Sequence, residues 1–193
     1  MLKLKLATDV RWAELAENNI DQLLSDHAFC EQKAASNAIS LLVNYPELSD
    51  LVDQLSQVAM EELEHFRQVH ERILARGKVL EKERKDIYVG ELYNFVRRGI
   101  GREIMLVDRL LFSAMIEARS CERFRLLSET IADKELANWY RELMISEANH
   151  YTLFIALAKK YANGIDVDAR WREFLDFEGE VIKRYGVSER MHG

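Results

Sequence analysis

Two short stretches, Met60-Glu61-Glu62-Leu63-Glu64-His65 and Ser146-Glu147-Ala148-Asn149-His150, each contain Glu-x-x-His. On an α-helix an i, i+3 pair projects from one face, so Glu62 with His65 and Glu147 with His150 form two short prongs. One such pair in a Glu-rich helical chain is an incidental histidine on a solvated face. Here the pair recurs, and an acidic residue in an apolar or small-residue setting precedes each copy: Glu31, 31 residues before Glu62, and Glu117, 30 residues before Glu147. The order Glu, Glu-x-x-His, Glu, Glu-x-x-His is the ligand order of carboxylate-bridged di-metal bundles, with one Glu from each of two helices and a Glu-x-x-His from each of the others.

The rest of the sequence is compatible with such a bundle. A single proline and eight glycines leave few places to break long helices, which predicts an all-α chain. At 193 residues it suits one domain spanning 1–193, with 48% hydrophobic residues to fill the core and 31% charged residues to solvate the surface. Met1-Leu2-Lys3-Leu4-Lys5-Leu6 alternates charge with leucine and lacks the continuous apolar run of a signal peptide, so the expected location is the cytoplasm, with no membrane partner. Cys30 and Cys121 are too few for a disulfide framework or a Cys-x-x-Cys metal site and read as reduced core thiols. A net charge of −6 argues against a strongly basic nucleic-acid-binding domain but leaves room for a local patch.

Helical periodicity places the prongs. A first helix opens at Thr8-Asp9, and the pattern resumes or continues from Ile20 with Glu31 on the inward stripe, until Asn44-Tyr45-Pro46 ends it. Ser49 starts the helix that carries Glu62 and His65, and Gly77 stops it. A short amphipathic segment from about Asp86 to Val96 is broken by Arg97-Arg98-Gly99-Ile100-Gly101-Arg102, the expected crossover between two helical hairpins. The third bundle helix runs from near Glu103 to Leu127. Glu117 lies on its apolar stripe, whereas Glu122 lies off it and reads as a salt-bridging or supporting residue. Asp133 begins the fourth helix, with Glu147 and His150, and Asn163-Gly164 ends it. A last amphipathic helix from about Asp168 to Tyr185 covers one side.

Four glutamates and two histidines carry the charge to balance two divalent cations, and mixed O/N ligation without thiolates suits iron or manganese over structural zinc. In this arrangement Glu62 and Glu147 bridge the metals, while Glu31 with His65 and Glu117 with His150 complete the two ends. An open di-iron centre can reduce dioxygen and pass an oxygen atom to a C–H bond. The same residues would also serve an iron-oxidising storage protein, a peroxide scavenger, a manganese catalase or, through Tyr151, a radical generator. His27, His70 and His192 fit no ligand spacing; His27 reads as a core or supporting residue.

Four segments go beyond a generic bundle: Asp26-His27-Ala28-Phe29-Cys30-Glu31-Gln32-Lys33-Ala34-Ala35, Glu61-Glu62-Leu63-Glu64-His65-Phe66, Ile116-Glu117-Ala118-Arg119-Ser120-Cys121-Glu122-Arg123-Phe124 and Ser146-Glu147-Ala148-Asn149-His150-Tyr151. They resemble the MiaE family of tRNA 2-methylthio-N6-isopentenyladenosine hydroxylases across nearly the whole chain. The resemblance implies a ferritin-like four-helix bundle with additional N- and C-terminal helices. It also implies a non-haem di-iron monooxygenase that hydroxylates the isopentenyl group of the modified adenosine beside the anticodon. Two iron ions would be held by Glu31, Glu62, His65, Glu117, Glu147 and His150, with dioxygen as co-substrate and an external electron donor as partner. Arg97, Arg98 and Arg102 form the densest basic cluster and are the expected contacts to the tRNA anticodon loop; helix capping or pairing with acids is the competing reading.

Overall fold

The computed structural model describes residues 2–99, 101–185 and 190–191. Seven helices and no strand occur among them: α1 Arg11–Asn18, α2 Ile20–Asn44, α3 Ser49–Ala75, α4 Ile87–Asn94, α5 Arg102–Thr130, α6 Lys134–Lys160 and α7 Val167–Tyr185.

The helix boundaries follow local chemistry. Asp86 accepts from the Val89 N–H at 2.9 Å, Asp133 from those of Glu135 and Leu136 at 3.0 and 3.1 Å, and Asp166 from that of Ala169 at 2.9 Å, so three helices start on an aspartate that satisfies first-turn donors. Asp9 accepts from the Arg11 N–H at 2.9 Å and opens α1. Asn19, with φ −128°, separates α1 from α2, where the periodicity alone leaves a break or a continuation open. At the end of α3, the N–H groups of Gly77 and Lys78 reach back to the carbonyls of Leu74 and Ile73 at 2.9 and 3.1 Å. That double bond pattern turns the chain through φ +70° at Gly77, a left-handed conformation that costs glycine nothing.

The chain divides into two compact units, Met1–Glu17 with Asp86–Ser188, and Asn18–Lys85. In the second, α2 packs on α3. Ala28, Ala35 and Ala38 on α2 and Leu51, Leu55 and Ile73 on α3 are buried. At about 25 cal/mol per Å² of apolar surface, each such leucine contributes on the order of 2 kcal/mol. The C-terminal return joins this unit: the Met191 N–H donates to Asp26 at 2.7 Å.

In the first unit α5 packs on α6, and α7 lies against α5 and α4. From Leu106 to Phe124 almost every residue of α5 is buried, charged ones included, so this helix is a core element rather than an amphipathic surface one. Two buried ion clusters make that tolerable. Asp108 accepts from Arg97 at 2.7 Å and from Arg170 at 2.7 and 3.0 Å. The Arg170 guanidinium lies 4.3 Å above the Phe95 ring. Arg119 donates to Glu178 at 2.6 Å, to the Leu6 carbonyl at 3.0 Å and to Glu122.

Candidate metal centre

Each unit gathers one Glu-x-x-His and its preceding glutamate. In the α2–α3 unit, Glu31 sits on the inward face of α2, and Glu62 and His65 project one turn apart from α3. They are 3%, 0% and 8% exposed. His65 Nδ1 lies 3.6 Å from Glu31 Oε2 and 3.5 Å from Glu62 Oε2, and one donor atom from each of the three falls within 4.8 Å of the others. In the α5–α6 unit, Glu117 comes from α5 and Glu147 and His150 from α6, all buried, again with one donor atom each inside 4.8 Å. His150 Nδ1 is 4.0 Å from Glu147 Oε2. Cys121 donates through Sγ to the Met144 carbonyl at 3.4 Å, a link one turn from both glutamates that fixes α5 against α6.

The electrostatics of the first triad follow from its burial. Burial works to lower the His65 pKa, but the two carboxylates of Glu31 and Glu62 beside the ring outweigh it and lift the imidazole to about 10. Burial likewise works to raise Glu31, and the neighbouring imidazoles, His27 first and then His65, overcome it and hold the carboxyl well below its usual range. Without a cation, therefore, a protonated imidazole supplies the positive charge that two buried carboxylates require.

The donor sets fit a metal ion. Each half offers two carboxylates and one imidazole, hard and borderline ligands that suit a first-row divalent cation. Ligand atoms each about 2.0–2.2 Å from one ion lie no more than roughly 4.4 Å apart, so a 4.8 Å cluster closes on an ion with small side-chain movements.

The model of the tRNA-(MS2IO6A)-hydroxylase (MiaE) family matches residues 2–193. The chain belongs to this family. It is 40% identical over 182 residues to the tRNA 2-(methylsulfanyl)-N(6)-isopentenyladenosine(37) hydroxylase of Pseudomonas putida, covering 94% of this chain and 87% of the relative. It is 30% identical over 221 residues to the enzyme of the same name from Salmonella typhimurium, covering 90% and 80%. Among solved structures it is similar to a Synechococcus protein with aldehyde deformylating oxygenase activity, at a TM-score of 0.91 and 34% identity over 98% of this chain and 95% of that one. The fold class is accordingly all-α and ferritin-like, as the family resemblance implies.

The remaining sequence candidates find varied places. Glu122 accepts from the Thr8 N–H at 3.0 Å and from Arg119, the ion-pair role expected for it. Tyr151 packs against Trp171 with ring centroids 5.9 Å apart, and His70 stacks on Phe66. His192 lies outside the described residues. Of the three arginines expected at tRNA, Arg97 turns its guanidinium to Asp108, Arg98 lies 4.9 Å above the exposed ring of Tyr93, and Arg102 is exposed in the first turn of α5. Two residues carry more than the sequence indicates. His27 is fully buried and bonded to Glu31, a relation signalled only by their i, i+4 spacing. Asp108 organises Arg97 and Arg170, with no local signature at all.

Proposed function

We propose that the chain is a tRNA-modifying monooxygenase that hydroxylates the isopentenyl side chain of 2-methylthio-N6-isopentenyladenosine. The observation that carries this reading is the family match over residues 2–193, in a chain whose two Glu-x-x-His prongs are each buried with a second glutamate. Both curated relatives are named for that hydroxylation.

In this reading the two units act as one ferritin-like domain. Glu31, Glu62 and His65 from one and Glu117, Glu147 and His150 from the other would hold two iron ions. The likeness to the Synechococcus protein, which runs through both units, supports reading the chain as one ferritin-like domain. When bound, the iron pair supplies the two-electron activation of dioxygen that side chains alone cannot perform. The net change is insertion of one oxygen atom into a C–H bond, the second leaving as water with two electrons from an external donor and two protons.

The protein's own contribution is electrostatic and geometric. Four carboxylates would offset the cationic charge, and two imidazoles would serve as neutral ligands. Metal loading therefore releases the proton that His65 holds in the metal-free state. At most 8% exposed, the six residues are shielded from bulk water, which strengthens every interaction among them. Arg98 and Arg102, with Arg97 held by Asp108, are the proposed phosphate contacts; Tyr93 beneath Arg98 offers a flat surface for an unpaired base. No described helix is long and apolar enough to cross a membrane, and the cytoplasm, where tRNA is modified, is the proposed site of action.

The test uses protein reconstituted with iron(II), a chemical reductant, dioxygen and tRNA bearing the modified adenosine, followed by mass analysis of digested nucleosides. Gain of one oxygen atom on that nucleoside, lost in Glu62→Ala and Glu147→Ala protein, is expected. Oxygen consumption with no gain on the nucleoside would overturn the tRNA assignment and favour an iron-oxidising or peroxide-scavenging role on the same scaffold.

A further inference from the structure

His27 lies one turn before Glu31 on α2 and has no exposed surface. Its Nε2 is 2.5 Å from Glu31 Oε1, while Glu31 Oε2 faces His65 Nδ1 at 3.6 Å. An ionised carboxylate only accepts hydrogen bonds, so Nε2 carries the hydrogen and donates it to Oε1. A glutamate carboxylate can meet a cation through one oxygen or both, and a fixed donor on one oxygen leaves the other as the ligand atom. The two oxygens of Glu31 are thus already assigned different tasks.

The other unit does not repeat this arrangement. The residue one turn before Glu117 is Ser113, and its hydroxyl donates to the Arg109 carbonyl at 3.1 Å, within its own helix. An aligned pseudo-repeat therefore carries an imidazole donor behind one terminal glutamate and a helix-satisfied hydroxyl behind the other.

We propose that His27 is a positioning residue: it holds Glu31 in a one-oxygen mode and makes the two metal positions unequal, the ion on the Glu31–His65 side being bound more tightly. Hydrogen bonds behind a ligand fix its orientation before metal arrives, and their loss costs about 10- to 100-fold in affinity. The inference rests on the reading of Glu31, Glu62 and His65 as metal ligands. It adds an order of loading, which neither the ligand set nor its spacing contains.

Anaerobic titration of the full-length protein with cobalt(II), followed by its visible absorption bands and by calorimetry, tests this without turnover. The native protein should take up two equivalents in two resolved steps. His27→Phe, a ring of similar volume with no donor, should weaken the tighter step about 10- to 100-fold and leave the weaker one within about threefold. His27→Gln, whose amide N–H reaches a similar place, should retain most of the tight step, and Ser113→Ala should change neither. Two indistinguishable steps in the native protein would overturn the inequality, whatever the variants do. An unchanged tight step in His27→Phe would overturn the role of His27 while leaving the metal ligands standing. A loss in His27→Gln as large as in His27→Phe would mean that the ring acts as a ligand or by packing rather than as a donor. Failure of the native protein to bind two equivalents would remove the ligand assignment itself, and this inference with it.

Discussion

Arg119 and Glu178, 59 residues apart in sequence, meet at 2.6 Å between α5 and α7 with neither side chain exposed. Tyr88 on α4 donates to the same Glu178 oxygen at 3.1 Å, so one carboxylate ties three helices of this unit together. A buried ion pair is not strongly stabilising in itself, but breaking one leaves an uncompensated charge at a cost of about 3–5 kcal/mol. Because Glu122 remains beside Arg119, Glu178→Ala should cost about 3 kcal/mol, the low end of that range. Its urea midpoint should fall clearly below that of the native chain, while Glu178→Leu combined with Arg119→Met should regain much of the loss. A midpoint unchanged in the single variant would mean that water reaches the pair.

Asp108 links stability to acid. Burial works to raise its pKa, but the hydrogen bonds from Arg97 and Arg170 prevail and hold the carboxyl below its usual range. A group depressed in the folded state stabilises above its unfolded pKa, near about 3.9, and that contribution disappears as pH falls through the folded value. Asp108→Asn should therefore be less stable than the native chain at neutral pH, and the difference should shrink below about pH 4. Urea unfolding from pH 7 down to pH 3 measures it; a pH-independent difference would rule out the ionised pair as the cause.

The two cysteines should separate in reactivity. Burial pushes the Cys121 thiol up to about 11, which leaves roughly one thiol in a thousand ionised at pH 8. Cys30 is only half-buried. Iodoacetamide at pH 8 should modify the Cys30 peptide well before the Cys121 peptide, as read by mass spectrometry of the digest. Equal rates would show that α5 and α6 open around Cys121 in solution.

Arg98, exposed over Tyr93, is one of the proposed phosphate contacts. Arg98→Ala should weaken tRNA binding across sequences and reduce the slope of log affinity against log salt by about one. Lys183→Ala, which removes a cation already paired with Glu180 at 2.6 Å, serves as the control and should leave the slope unchanged. A slope unaltered by Arg98→Ala would move the RNA contact elsewhere on the surface.

What could be read in the sequence was whatever has a short period. Glu62 with His65 and Glu147 with His150 declare themselves through i, i+3 spacing, and Asp86, Asp133 and Gly77 mark helix ends because capping is local chemistry. Arg97 illustrates the limit. Its neighbours in sequence are Arg98 and Gly99, which suggests a basic patch, yet its guanidinium answers to Asp108, eleven residues on, and Asp108 in turn to Arg170, 62 residues on. Pairings at that distance leave no periodic trace. His27 lay within reach, at i, i+4 from Glu31, but a supporting donor has no ligand spacing of its own, and only the 2.5 Å separation reveals its task.

The first unit is assembled from both ends of a long interval of chain: the Leu6 carbonyl and the Thr8 hydroxyl find Arg119 and Glu122 only 113 and 114 residues later. During synthesis at about 5–20 residues per second, α2 and α3 are complete roughly 5–20 s before α7 has been made. The hairpin bearing Glu31, Glu62 and His65 is thus free to close while the ribosome is still at work. The opening residues meanwhile wait, without their partners, for a helix not yet translated.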